Sequence, residues 1–64
     1  MTLTPREQVA LELMAHGWAD RETARYMGIS VYTVRQHWRS IRIKLGVKHN
    51  HGAVGAAFRK GILE

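Results

Sequence analysis

Between Asp20 and Lys44 the chain carries two helix-forming stretches separated by one glycine, Gly28, and this break limits the fold more than any other feature. Ala24 is small where two crossing helices need a close approach. Gly28, four residues later, supplies a left-handed turn that a residue with a Cβ resists. Ile29 and Val34 are apolar where the second helix must press on the first. The order is short helix, tight turn, longer basic helix.

The same punctuation recurs along the chain. Gly17, Gly28, Gly46 and Gly61 each follow an apolar-periodic segment, as glycines at helix C-termini do. Thr4-Pro5-Arg6-Glu7 combines an N-cap threonine, a proline at the first helical position and a capping-box glutamate. Asp20, Ser30 and Asn50 are the candidate caps of the later helices. Helices are therefore expected at about 5–16, 20–27, 31–45 and 50–60. With no alternating strand pattern, internal repeat or linker, the 64 residues predict one all-α domain of four helices. Val9, Ala10, Leu13 and Met14 form the expected apolar face of the first helix, with Leu3 as a staple ahead of its cap. The last helix is built from small residues, Gly52 to Ala57, and each interior glycine costs roughly 1 kcal/mol relative to alanine. Close packing is the expected compensation, within the domain or against a second copy.

Charge narrows the partners. Ten Lys/Arg against five Asp/Glu give +5 and a pI near 10.5, which favours a polyanion. The absence of cysteine excludes disulfides and thiolate zinc sites. No apolar run approaches the roughly 18 residues of a membrane span, and no signal peptide opens the chain, so a cytoplasmic location is expected. Glu7, Glu12, Asp20, Glu22 and Glu64 are mostly placed for caps and helix starts, and no nucleophile, base and orienter assemble, so an enzyme is not expected. His49 and His51 lack further ligands for a metal, and His16 and His37 are expected as packing residues. No cofactor is implied.

On a helix, residues 31–45 separate into two faces. Val34, His37, Trp38, Ile41 and Leu45 gather toward the core; Tyr32, Arg35, Gln36, Arg39 and Ile43 gather opposite. Together with the preceding helix and Gly28 this is a helix-turn-helix, whose second helix enters the DNA major groove. Arginine donates two hydrogen bonds to guanine and glutamine pairs with adenine, so Arg35, Gln36 and Arg39 are the expected base readers. Ser30, Tyr32 and Thr33 at the helix start, Arg42 and Lys44 at its sides, and Arg21 at the start of the preceding helix are the expected phosphate contacts, and Arg25 is a further candidate. Ile43 fits this face poorly and is read as an exposed isoleucine, with contact to a thymine methyl as the alternative.

Leu3-Thr4-Pro5-Arg6-Glu7, Gly28-Ile29-Ser30, Thr33-Val34-Arg35 with His37, Ile41, and Lys44-Leu45-Gly46-Val47 stand in an ordered series, followed by Ala53, Val54, Ala57 and Gly61. The chain thereby resembles the LuxR/GerE-type DNA-binding domain, which also ends the NarL/FixJ response regulators. The resemblance implies a four-helix domain with no wing, helices 2 and 3 forming the helix-turn-helix. It implies that helix 4 pairs two copies on an inverted repeat, here through Gly52, Gly55, Ala56 and Arg59. Its base-contacting positions fall on Arg35, Gln36 and Arg39. Departures are Val9 where glutamate is usual, Ser40 where asparagine is common, Asn50 where arginine is common, and the large Trp38.

Met1 stands two residues before the motif begins, which suggests a stand-alone regulator of bacterial or mobile-element origin without a sensor domain; a piece of a longer regulator is the other reading. The expected function is sequence-specific binding of double-stranded DNA as a homodimer. The alternative is an interaction protein that forms mixed dimers with a full-length LuxR-type regulator, for which the small residues of helix 4 and the aromatics Trp18 and Trp38 are suited.

Overall fold

The computed structural model describes residues 2–64. It contains α1 (Pro5–Ala15), α2 (Asp20–Met27), α3 (Val31–Leu45) and α4 (Asn50–Arg59), with no strand among the described residues. α3 is the central element and packs against all three others, whereas α2 and α4 do not touch.

Local chemistry sets the helix ends. At α1 the Glu7 N–H donates to Thr4 Oγ1 at 3.2 Å and the Thr4 N–H donates to Glu7 Oε1 at 2.8 Å, a complete capping box behind Pro5. Ser30 caps α3, its Oγ accepting the Thr33 N–H at 3.0 Å. Two expected caps are corrected. Asp20 and Asn50 are the first residues inside α2 and α4, and the caps are Ala19 and His49. Half a box suffices at α2, where Glu22 Oε1 accepts the Ala19 N–H at 2.8 Å. That leaves the Asp20 carboxylate free of capping, beside the positive end of the helix dipole.

Between α2 and α3, Gly28 adopts φ 70°, ψ 34°, the left-handed conformation the turn demands. The Ile29 N–H closes the α2 terminus on the Ala24 carbonyl at 3.0 Å. Ala24 is itself buried, and the three residues Gly28 to Ser30 make the whole turn that packs α3 against α2.

The core unites Ala10 and Leu11 of α1, Ala24 of α2, Val34, Trp38, Ile41 and Leu45 of α3, Ala53, Ala56 and Ala57 of α4, and Leu63. Trp38 is only 1% exposed and is the largest fully buried side chain. Burying an indole removes about 150–250 Å² from water, on the order of 4–6 kcal/mol before costs, which is large for so small a domain. The alanines of α4 let its backbone approach α3 closely. α1 departs from expectation: Glu7, Ala10 and Leu11 are its buried residues, while Val9, Leu13 and Met14 are half-buried. Apolar residues nearly encircle α1, so periodicity alone did not select the inward stripe. After α4 the chain folds back, Gln8 Nε2 donating to the Ile62 carbonyl at 3.1 Å, and Leu63 closes the core.

Candidate nucleic-acid interface

α3 shows solvent one continuous face. Tyr32, Arg35, Gln36, Arg39 and Ile43 are all exposed, Arg35 with 72% of its side chain free. No acidic residue occurs anywhere in α3. Val34, Trp38, Ile41 and Leu45 hold the opposite stripe in the core, so the outward residues cannot rotate inward without dismantling it. Arginine and glutamine exposed on a helix of 15 residues match what the major groove offers as acceptors and donors.

The flanking cations divide by environment. Arg21 and Arg25 are exposed on α2. Arg42 is half-buried and donates through Nη1 to Asn50 Oδ1, fastening the end of α3 to the start of α4. Lys44 is engaged inside the domain. Its Nζ lies 2.7 Å from Glu7 Oε1 and 3.3 Å from the Thr2 carbonyl, and its side chain is 18% exposed. An ammonium so enclosed is a strut between α1 and α3. Glu7 was legible as half of a capping box; its pairing with Lys44, 37 residues on, had no local signal.

Burial by itself would raise the Glu7 pKa. Hydrogen bonds from Lys44, Ser40 and the Thr4 backbone, with the attraction of the Lys44 charge, outweigh it and hold the carboxyl at about 2. Glu7 is therefore ionised through the neutral range.

At the start of α3 the Ser30 and Thr33 hydroxyls lie 3.0 Å apart, occupied with each other and with the helix cap. Tyr32 is 70% exposed beside them. A contact not foreseen crosses the turn: Arg35 Nε lies 3.8 Å from Asp20 Oδ2. The signal for it was present, since a helix-turn-helix sets the first turn of one helix beside the second turn of the next.

α4 presents a different surface. Ala56 is 3% exposed inside its own domain, so it is removed from the expected dimer face. Gly52 and Gly55 are half-buried, and His51, Phe58 and Arg59 are exposed. A Cβ on Gly55 would meet only Arg59 Nη1, at 3.4 Å, so the glycine keeps this face flat rather than serving the domain's own packing. Phe58, half exposed on the same side, was not singled out from sequence. The aromatic expectation splits likewise: Trp18 is at the surface, edge-on to Tyr26 with centroids 5.5 Å apart, but Trp38 is core. His49 and His51 stack with parallel rings 5.6 Å apart. Among the described residues, no three histidine or carboxylate side chains gather as a metal site, and no helix is long and apolar enough to cross a membrane.

Fold and surface together define a helix-turn-helix domain with an exposed basic second helix. Comparison with known proteins agrees. The family described as bacterial regulatory proteins, luxR family, matches residues 1–57. The oxygen regulatory protein NreC of Staphylococcus aureus is 39% identical over 62 residues, which are 97% of this chain and 29% of that protein. The transcription factor GerE superposes with a TM-score of 0.91 at 29% identity, covering all of this chain and 97% of GerE. ChrA, the response regulator of a heme-sensing two-component system, superposes at 0.93 with 32% identity, covering 98% of this chain and 31% of its own. The chain spans under a third of the length of the curated relatives it matches. The chain belongs to the luxR family of bacterial regulatory proteins, which are DNA-binding regulators of transcription rather than enzymes.

Proposed function

We propose that this domain reads double-stranded DNA by sequence, with α3 in the major groove and Arg35, Gln36 and Arg39 at the base edges. The single observation that carries the reading is the exposed, acid-free face of α3 in a domain of this family. Arg21, Tyr32 and the capped start of α3 at Ser30 and Thr33 hold phosphates, as does Arg42 through the N–H groups that Asn50 leaves free. Lys44 acts inside the domain.

One module of this size covers about 600–1,000 Å² of DNA-facing surface, which gives modest affinity. Two copies joined through the outer face of α4, at Gly52, Gly55, Phe58 and Arg59, place two α3 helices on an inverted repeat. The flat, partly apolar character of that face supports this arrangement.

The test is selection of the purified protein against a random-sequence duplex library at near-physiological salt. Enrichment of an inverted repeat is the expected result. Salt-sensitive binding with no enriched motif would contradict it and move the mixed dimer with a larger LuxR-type regulator to the front.

A further inference from the structure

We propose that Asp20 is a specificity-determining residue: its carboxylate holds Arg35 by the Nε side, so that the guanidinium presents its two Nη groups to guanine. The inference rests on the reading of Arg35 as a base contact.

The two partners differ in freedom. Asp20 is the first residue of α2, half-buried with 29% of its side chain exposed, and its backbone is fixed by the helix. Arg35 is 72% exposed and carries several rotatable bonds that solvent does nothing to restrict. At 3.8 Å the Nε–Oδ2 contact is an ion pair, longer than a direct hydrogen bond. It biases the arm toward one side of α3 without locking it.

Arginine suits this division of labour because its five donors lie in one rigid plane. A carboxylate on the Nε side leaves the far edge of the fork to O6 and N7 of guanine, the pairing that carries sequence information. Ordering the side chain before DNA arrives removes a cost otherwise met on binding.

The charge of Asp20 has a second, opposite effect. Asp20 borders a cleft with Ala19, Arg21, Glu22, Val31 and Arg35, and its carboxylate, added to that of Glu22, repels phosphates on every sequence alike. Ordering Arg35 helps only where a guanine is present to receive it. Asp20 therefore lowers binding to all DNA and raises the ratio between the right site and the wrong one. A residue serving only the α2 dipole would leave that ratio alone.

The experiment compares wild type, Asp20→Asn, Arg35→Ala and the double variant on the selected site, on that site with the base pair read by Arg35 changed, and on a scrambled duplex. Each protein's ratio of affinities is the readout, so a reduced folded fraction cancels. Asp20→Asn is expected to bind scrambled DNA more tightly and to lose roughly threefold in discrimination at the Arg35 base pair. In the Arg35→Ala background the discrimination effect disappears. Unchanged discrimination in Asp20→Asn, or an equal change in both backgrounds, overturns the role of Asp20 while Arg35 stands. If Arg35→Ala relaxes no base pair, the Arg35 reading falls and takes this inference with it.

Discussion

Glu7 Oε1 accepts two hydrogen bonds at once, from the Thr4 N–H at 2.8 Å and from Lys44 Nζ at 2.7 Å. One carboxylate thus ends α1 correctly and ties it to the last turn of α3. The last turn of α3 is thereby anchored to the first residues of the domain.

Removing one partner of that pair leaves a buried charge. Lys44→Met is expected to destabilise the domain by about 3 kcal/mol, near the lower range for broken buried ion pairs. Urea denaturation measures this. The slope of DNA affinity against salt is expected to stay unchanged, whereas loss of a phosphate contact would lower it by about one.

The same pair sets an acid limit. Glu7 is lowered from its ordinary 4.5 to about 2 in the folded domain. Below 4.5 the unfolded chain takes up a proton that the folded chain refuses, so stability is full above that pH and falls as pH drops toward 2. The span corresponds to about 3 kcal/mol. Thermal unfolding followed from pH 6 downward is expected to show this loss, and Glu7→Gln to begin less stable and lack this part of the pH dependence.

Trp38 decides whether the domain folds. Trp38→Ala is expected to cost about 3–5 kcal/mol, close to the whole stability of a domain this small, on the order of 5 kcal/mol. Urea denaturation is expected to show most of the stability lost, with the midpoint moved close to zero denaturant. Trp18→Ala, at the surface, is expected to leave the unfolding midpoint nearly unchanged.

At the α4 face, Gly55→Leu is expected to abolish cooperative occupancy of a two-half-site duplex. A Cβ there meets only the flexible end of Arg59, so the monomer fold is expected to persist, with circular dichroism as the check. Titration of one-half-site and two-half-site duplexes separates the effects; persistent cooperativity would place the interface elsewhere.

The fold was legible because its signals are local. Gly28, Gly46 and the Thr4-Pro5-Arg6-Glu7 cap act over a few residues, and the stripe of Val34, Trp38, Ile41 and Leu45 is regular. The outward set on α3 followed from the same wheel. What stayed hidden depends on pairs distant in sequence. Nothing near Lys44 announces Glu7, and Asp20 meets Arg35 only through the register of the whole helix-turn-helix, because both contacts exist only once α3 lies across its neighbours. The inward position of Ala56 was hidden for a related reason. A helix of small residues has two faces of similar composition, and only the packed structure shows that Ala53, Ala56 and Ala57 face inward while Gly55 and Phe58 face out.

The most direct test of sequence reading by α3 is a competition titration between the selected site and a scrambled duplex of equal length at near-physiological salt. Preference for the selected site by about a thousandfold or more is predicted, falling by about 1–3 kcal/mol when Arg35 or Arg39 is replaced by alanine. Equal affinity for both duplexes, or equal losses on both in the alanine variants, would contradict the account and reduce these arginines to phosphate contacts.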